Sequence, residues 1–178
     1  MPTIAIIVVV VILVLLGILL LVVASKPDAF RIERSASIKA PPEKVYPLIN
    51  DFHNWGSWSP WEKLDPTMKK THSGPANGLG AIYEWEGNKQ VGKGRMEITE
   101  SAPSSKVLIK LDFFKPFEAH NTAEFVLAPN GDATNVTWAM LGSQPFMFKV
   151  MSVFMSMDKM IGKDFETGLA SMKGLAEK

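Results

Sequence analysis

Residues 145–178, PFMFKVMSVFMSMDKMIGKDFETGLASMKGLAEK, decide the fold of this chain. Apolar side chains recur here at steps of three and four residues, which is the spacing of one stripe along an α-helix. Pro145 suits the first helical turn, where a backbone N–H would have no partner, and most charged residues fall off the stripe. The pattern predicts one long amphipathic C-terminal helix that a sheet must cover. The predicted stripe comprises Phe146, Val150, Val153, Phe154, Met157, Ile161, Phe165, Leu169 and Met172.

A second apolar line runs beside this stripe and consists of Met147, Met151 and Met155 at four-residue steps. One interpretation is that these methionines fill the core. The other is that their pliable thioethers line a cavity whose contents vary in shape. The pattern leaves both interpretations open.

Composition limits the number of domains and the classes of partner. The chain has 178 residues, of which 47% are hydrophobic, so there is room for one domain and an appendage. The net charge of +1 and the lack of a Lys/Arg-rich run argue against nucleic acid as a partner. Because the chain has no cysteine, disulfides and thiolate metal sites are excluded.

Residues 4–24 contain no charged or strongly polar side chain. About 20 apolar residues in a helix cross a bilayer core of about 30 Å, so this run predicts a transmembrane anchor in contact with lipid. A cleaved signal peptide ending near Ala24 is the alternative, although the run exceeds the roughly 7–15 apolar residues of a signal and no Lys or Arg precedes it. Lys26, Arg31 and Arg34 follow the run, which favours a cytoplasmic location for the rest of the chain.

The chain is therefore expected to divide into three parts. Residues 1–25 form a single-pass membrane anchor, residues 26–29 a short tether, and residues 30–178 one folded domain. The pattern does not indicate an oligomeric state.

Between tether and helix, alternating apolar and polar residues predict consecutive antiparallel strands. A first strand at 30–38 precedes a short helix that begins at Pro42, and an irregular helical turn rich in tryptophan occupies 51–66. Gly92 and Gly94 fall on an inward face and are expected to leave room there. The further strands are predicted at 67–72, 79–86, 91–100, 107–113, 118–128 and 133–141.

Five further segments form a recognisable set: APPEKVY at 40–46, NWGSWSPW at 54–61, GAIYEW at 80–85, GKG at 92–94 and TNVTWAMLG at 134–142. Together they resemble the polyketide cyclase/dehydrase-like group of the START-related SRPBCC superfamily. The resemblance implies an α+β helix-grip fold, in which a curved antiparallel sheet wraps around a long C-terminal helix with a hydrophobic cavity between them. It does not imply one chemistry, because this fold serves unrelated functions.

Aromatic and methionine side chains are the candidate ligand contacts. Trp55, Trp58 and Trp61 recur every three residues, and they either plug the end of the sheet or form a rim for a ligand or the membrane interface. The inward aromatic residues of the strands form either a solid core or the wall of a pocket. The predicted ligand-binding residues are Trp55, Trp58, Trp61, Tyr83, Trp85, Met96, Phe113, Phe125, Trp138, Met140, Met151 and Phe154.

No catalytic constellation is evident in the sequence. His120 is predicted on the outward face, and His53 and His72 are expected at the surface near the mouth of the grip. Glu84 and Glu86 are predicted to point outward. No metal-ligand spacing, nucleophile triad or cofactor fingerprint is present, so neither a metal nor a cofactor is expected.

Three functions fit these patterns. The first is a membrane-tethered module that binds a hydrophobic small molecule or lipid between the sheet and the C-terminal helix. The second is an enzyme of cyclase or dehydratase type that uses His53, His72 or Tyr83 as a proton carrier. The third is an interaction module without a ligand.

Overall fold

The fold is described from a computed structural model, which covers residues 2–178 and the side chains from Thr3 onward. The chain divides into two compact units. The first comprises the N-terminal residues up to Ala29 together with Gln144–Ser156. The second comprises Phe30–Ser143 together with Met157–Lys178.

A curved antiparallel sheet forms most of the second unit. Among the described residues it has seven strands in the order β1-β7-β6-β5-β4-β3-β2, so that the first strand pairs with the last. The remaining neighbours are consecutive in the chain, as the turn signals predict. The strands are β1 Ala29–Ile38, β2 Lys69–Ser73, β3 Ile82–Glu86, β4 Lys93–Ala102, β5 Lys106–Lys115, β6 Ala119–Asn130 and β7 Ala133–Ser143.

Helical segments cover one face of this sheet. Between β1 and β2 lie α2, at Pro42–Asn50, and two short 3₁₀ turns at Phe52–Ser57 and Trp61–Lys63. The C-terminal helix α4, at Met157–Ala176, contributes fully buried side chains to the same core as the inward faces of the strands. These are Phe165, Leu169 and Met172. The predicted α+β helix-grip fold is confirmed.

An ionic contact holds β1 against α4. The Arg34 guanidinium donates to Asp158 Oδ1 at 3.0 Å and to Glu166 Oε1 at 2.8 Å. A Cβ at Gly162 would lie 2.1 Å from Arg34 Nη2, so glycine at this position lets the guanidinium lie against the helix without being displaced. Arg34 lies on the inward register of β1 and finds its partners on α4.

The C-terminal helix begins later than the sequence predicts. Residues 145–178 do not form one helix: α3 occupies Phe146–Phe154, Met155 is extended, and α4 begins at Met157. The apolar stripe crosses this break without a change of spacing, which is why periodicity does not reveal it. Ser156 immediately precedes α4, and serine is favoured before a helix rather than inside one.

The first unit contains α1 and α3. Helix α1, at Pro2–Ala24, is long and apolar enough to cross a membrane by length and composition, a test that signal sequences also pass. Helix α3 contacts α1. The side chain of Lys149 is buried, and its Nζ donates to the Lys26 carbonyl at 2.9 Å and to Asp28 Oδ1 at 2.6 Å.

The exposure of α3 corrects part of the predicted stripe. Phe146, Val153 and Phe154 were expected to face the core, but all three are exposed. The buried helical stripe is confined to α4, where it begins with the half-buried Met157 and Ile161.

Candidate ligand site on the concave face of the sheet

Two tryptophans, one in the first 3₁₀ turn and one directly after it, are packed against the end of α2. Trp55 and Trp58 are buried, and their Nε1–H groups donate to the carbonyls of Ile49 at 3.0 Å and Leu48 at 2.8 Å. The last carbonyls of a helix have no partner within it, so these two indoles satisfy groups that folding would otherwise leave unpaired. Trp55 and Trp58 are therefore fixed in the core beside α2, whereas Trp61 stays partly exposed.

Trp138 on β7 lies at the centre of an aromatic cage. Its ring stacks on Phe165 of α4, with centroids 4.1 Å apart, and on Phe125 of β6 at 4.9 Å. Trp58 and Trp61 approach it edge-on, at 5.4 and 5.6 Å. Sheet, helix and 3₁₀ turns thus each supply a wall of the cage, which we define as Trp58, Trp61, Phe125 and Phe165 around Trp138.

The indole nitrogen of Trp138 has no hydrogen-bond partner. Among the side chains that the structure describes, its Nε1 is the buried nitrogen or oxygen atom left unpaired. The indoles of Trp55, Trp58 and Trp85 each donate to a backbone carbonyl, so Trp138 differs in this respect from the other buried tryptophans. An unsatisfied buried donor costs about 1–3 kcal/mol, and folding does not recover this cost within the described residues.

A polar cluster lies beside the aromatic core. The Tyr83 hydroxyl donates to Glu62 Oε1 at 2.5 Å, and Lys70 forms an ion pair with the same carboxylate. The Glu62 side chain is only 7% exposed. The imidazole of His72 stacks on the Tyr83 ring at 5.0 Å, and His53 stacks on His72 at 4.2 Å. Residues predicted separately as proton carriers are therefore neighbours.

The surroundings of this cluster change its proton affinities. Burial raises the pKa of Tyr83, and the Glu62 carboxylate raises it further, so the phenol keeps its proton. Burial lowers the pKa of His72, and the neighbouring His53 lowers it too, so the imidazole is neutral at neutral pH. Glu62 was not among the residues predicted from the sequence, although a carboxylate directly after Trp61 could have signalled a buried partner.

The structure brings together most, but not all, of the predicted ligand-binding residues. Met151 and Phe154 lie on α3 in the first unit and are exposed. The other ten belong to the core of the second unit or pack against it: Trp55, Trp58, Trp61, Tyr83, Trp85, Met96, Phe113, Phe125, Trp138 and Met140.

The expected room at Gly92 and Gly94 is filled. A Cβ at Gly94 would lie 2.3 Å from Cζ2 of Trp85, so the indole occupies the space that the glycine leaves. Gly92 has a positive φ of 66°, and a Cβ there would lie 2.2 Å from the carbonyl oxygen of Lys115. These glycines allow close approach of neighbouring groups and do not open a cavity.

A comparison with protein-family models identifies the family. The model described as "Polyketide cyclase / dehydrase and lipid transport" matches residues 29–177. The chain belongs to this family. A comparison with curated protein sequences finds no match.

Several solved structures share the fold of this family member, although their sequence identity to it is low. A protein from Chromobacterium violaceum is 16% identical, with a TM-score of 0.59 over 86% of this chain and 99% of that one. The Aha1 dimer from Colwellia psychrerythraea is 19% identical, with a TM-score of 0.58 over 83% and 96%. The di-domain ARO/CYC StfQ from the steffimycin biosynthetic pathway is 11% identical, with a TM-score of 0.64 over 84% and 51%.

The outward face of the sheet in this family member is polar, as predicted. Glu84 and Glu86 are exposed there, and His120 is exposed with its Nδ1 2.7 Å from Asp112 Oδ1.

Among the described residues, no His, Cys, Asp or Glu group could hold a metal ion. An open groove of about 180 Å³ is lined by Lys69, Thr71, Glu84, Trp85, Glu86, Lys93 and Gly94. The charges that line it suit an apolar ligand poorly.

Proposed function

We propose that this chain is a membrane-tethered module that binds an apolar small molecule carrying a hydrogen-bond acceptor, in the aromatic cage on the concave face of the sheet. The unpaired Nε1–H of Trp138 carries the proposal. A carbonyl or hydroxyl oxygen of the ligand accepts this hydrogen bond, while the rings of the cage cover the apolar part. Lipids and polyketide-like compounds combine an apolar body with oxygen acceptors. The family description names both polyketide cyclase / dehydrase and lipid transport.

Trp61 provides the route into the cage. It is the partly exposed member, since Trp58, Phe125, Trp138 and Phe165 are all buried. Moving the Trp61 side chain uncovers the edge of Trp138 and leaves the hydrogen bonds of the neighbouring tryptophans intact. The ligand occupies the volume that this indole vacates.

A matched ligand pair tests the hydrogen bond. 2-Acetylnaphthalene carries a carbonyl acceptor, and 2-ethylnaphthalene has a similar shape without one. Trp138→Phe keeps an aromatic ring but removes the N–H. Because a hydrogen bond contributes about 0.5–1.5 kcal/mol net, the substitution is expected to reduce the relative preference for the ketone by about 2- to 13-fold in Kd. Isothermal titration of both ligands measures this preference.

Trp85→Phe is the control variant, because the Trp85 indole donates to the Val91 carbonyl at 2.9 Å and is not a member of the cage. It is expected to lower stability and to leave the ketone preference unchanged. Equal ketone preference in the parent and in Trp138→Phe would contradict the assigned donor. The absence of binding of either ligand to the parent chain would contradict the module as a whole.

The tether is the second part of the proposal. Helix α1 has the length and composition of a membrane span, and uncleaved it holds the domain next to the bilayer, on the cytoplasmic side by the charge pattern that follows it. Carbonate extraction of membranes from cells that express the chain tests the membrane tether. Release of the full-length chain into the soluble fraction would contradict the tether.

The polar cluster favours a second candidate function, proton transfer of cyclase or dehydratase type. The Tyr83 phenol is held by a buried carboxylate, Glu62, and stacks on the neutral imidazole of His72, an arrangement of proton donor and acceptor. StfQ is an ARO/CYC protein, which gives the reaction class to test. Cyclisation of a poly-β-ketone analogue, followed by aromatic absorbance, is expected to fall with Tyr83→Phe. Turnover equal to the rate without protein would contradict this candidate.

A further inference from the structure

Helix α3 exposes an unusually apolar surface. Its nine residues contain no acidic side chain, and its single charged residue, Lys149, is buried. Met147, Met151 and Phe154 follow each other at four- and three-residue steps and form one exposed face. Phe154 is 74% exposed and Met147 66%, so large side chains dominate this face.

Lys149 ties α3 to the end of α1. Its ammonium group binds the Lys26 carbonyl and the Asp28 carboxylate, which lie two and four residues beyond the last residue of α1. The backbone N–H of Gln144, just before α3, donates to the Asp28 carbonyl at 2.7 Å. Three hydrogen bonds, two from Lys149 and one from Gln144, therefore hold α3 at the point where α1 ends. The ion pair with Asp28 neutralises the only charge of α3.

We infer that α3 lies in the membrane interface, with the face formed by Met147, Met151 and Phe154 in contact with lipid. This inference rests on the membrane tether proposed above, because α1 fixes the depth at which its own end leaves the bilayer. Nine residues at 1.5 Å each give about 14 Å, which is too short to cross a hydrocarbon core of about 30 Å. Because α3 is too short to span the core and is tied to the point where α1 ends, it lies along the interface.

Spin labels on the full chain measure the depth of α3 directly. Because the chain has no cysteine, each single cysteine variant carries one label. The variants are Phe154→Cys and Met147→Cys on α3, with Leu13→Cys in the middle of α1 and Lys89→Cys in an exposed turn as references. Each is reconstituted into vesicles of phosphatidylcholine and phosphatidylglycerol, and collision rates with oxygen and with a nickel chelate are compared.

The oxygen-to-nickel ratio at both α3 positions is expected to be several-fold above that at Lys89 and below that at Leu13. Ratios at both α3 positions equal to that at Lys89, with a lipid-like ratio at Leu13, would overturn the inference and leave the tether standing. A water-like ratio at Leu13 would overturn both. Protection from both reagents at Phe154, with spin–spin broadening, would mean that a second copy of the chain covers α3 and would also overturn the inference.

Discussion

Phe165 and Phe154 occupy equivalent positions in the predicted stripe, yet the structure predicts opposite consequences for their truncation. Phe165 is 1% exposed and stacks on Trp138 with ring centroids 4.1 Å apart. Phe165→Ala is therefore expected to cost about 3–5 kcal/mol, as for other buried phenylalanines. Phe154→Ala removes an exposed ring from α3 and is expected to change the free energy of unfolding by no more than about 0.5 kcal/mol.

Urea unfolding of the full-length chain in detergent micelles separates the two variants. The five tryptophans all lie in the second unit, so their emission reports the unfolding of the sheet and α4. With a denaturant slope of about 1–3 kcal/mol per molar, Phe165→Ala is expected to move the midpoint by at least about 1 M. Similar midpoint shifts for both variants would refute the break between α3 and α4 and support one continuous stripe.

Three further outcomes follow from individual contacts. Gly94→Leu is expected to lower the melting temperature, since overpacking costs about 1–3 kcal/mol and an indole already fills the site; an unchanged melting temperature would mean that the space is open. Arg34 lowers the pKa of Asp158 below its usual 3.8. This ion pair therefore stabilises the fold above about pH 4, and its contribution disappears as the pH falls through the lowered value. Asp158→Asn should destabilise the chain at neutral pH but not at a pH below the lowered pKa, as measured by thermal melts at these two pH values. Asp112 raises the pKa of His120 above its usual 6.5, so this contact stabilises fully below about pH 6.5 and weakens as the pH rises through the raised value. NMR titration should show a lower pKa of His120 in Asp112→Asn than in the parent.

Local patterns in the sequence determine the strands and the direction of their side chains. Alternation places Tyr83 and Trp85 inward and Glu84 and Glu86 outward, and the structure agrees at each position. The same holds for Phe125 on β6, which is fully buried. A strand has a side-chain period of two, so the alternation of apolar and polar residues shows which side chains point inward without knowledge of the neighbouring strands. A long apolar run likewise identifies α1 as a candidate span from composition alone.

Contacts between distant segments are decided only by the tertiary structure. Periodicity carries the apolar stripe across residues 155–156, because two non-helical residues leave the apolar spacing unchanged, and only packing separates the exposed α3 from the buried α4. The pairing of Glu62 with Tyr83 joins a 3₁₀ turn to a strand 21 residues later in the chain. The unpaired nitrogen of Trp138 follows from where every other acceptor lies, because a hydrogen bond needs its partner within about 3 Å and in line, a condition that residue spacing along the chain does not express.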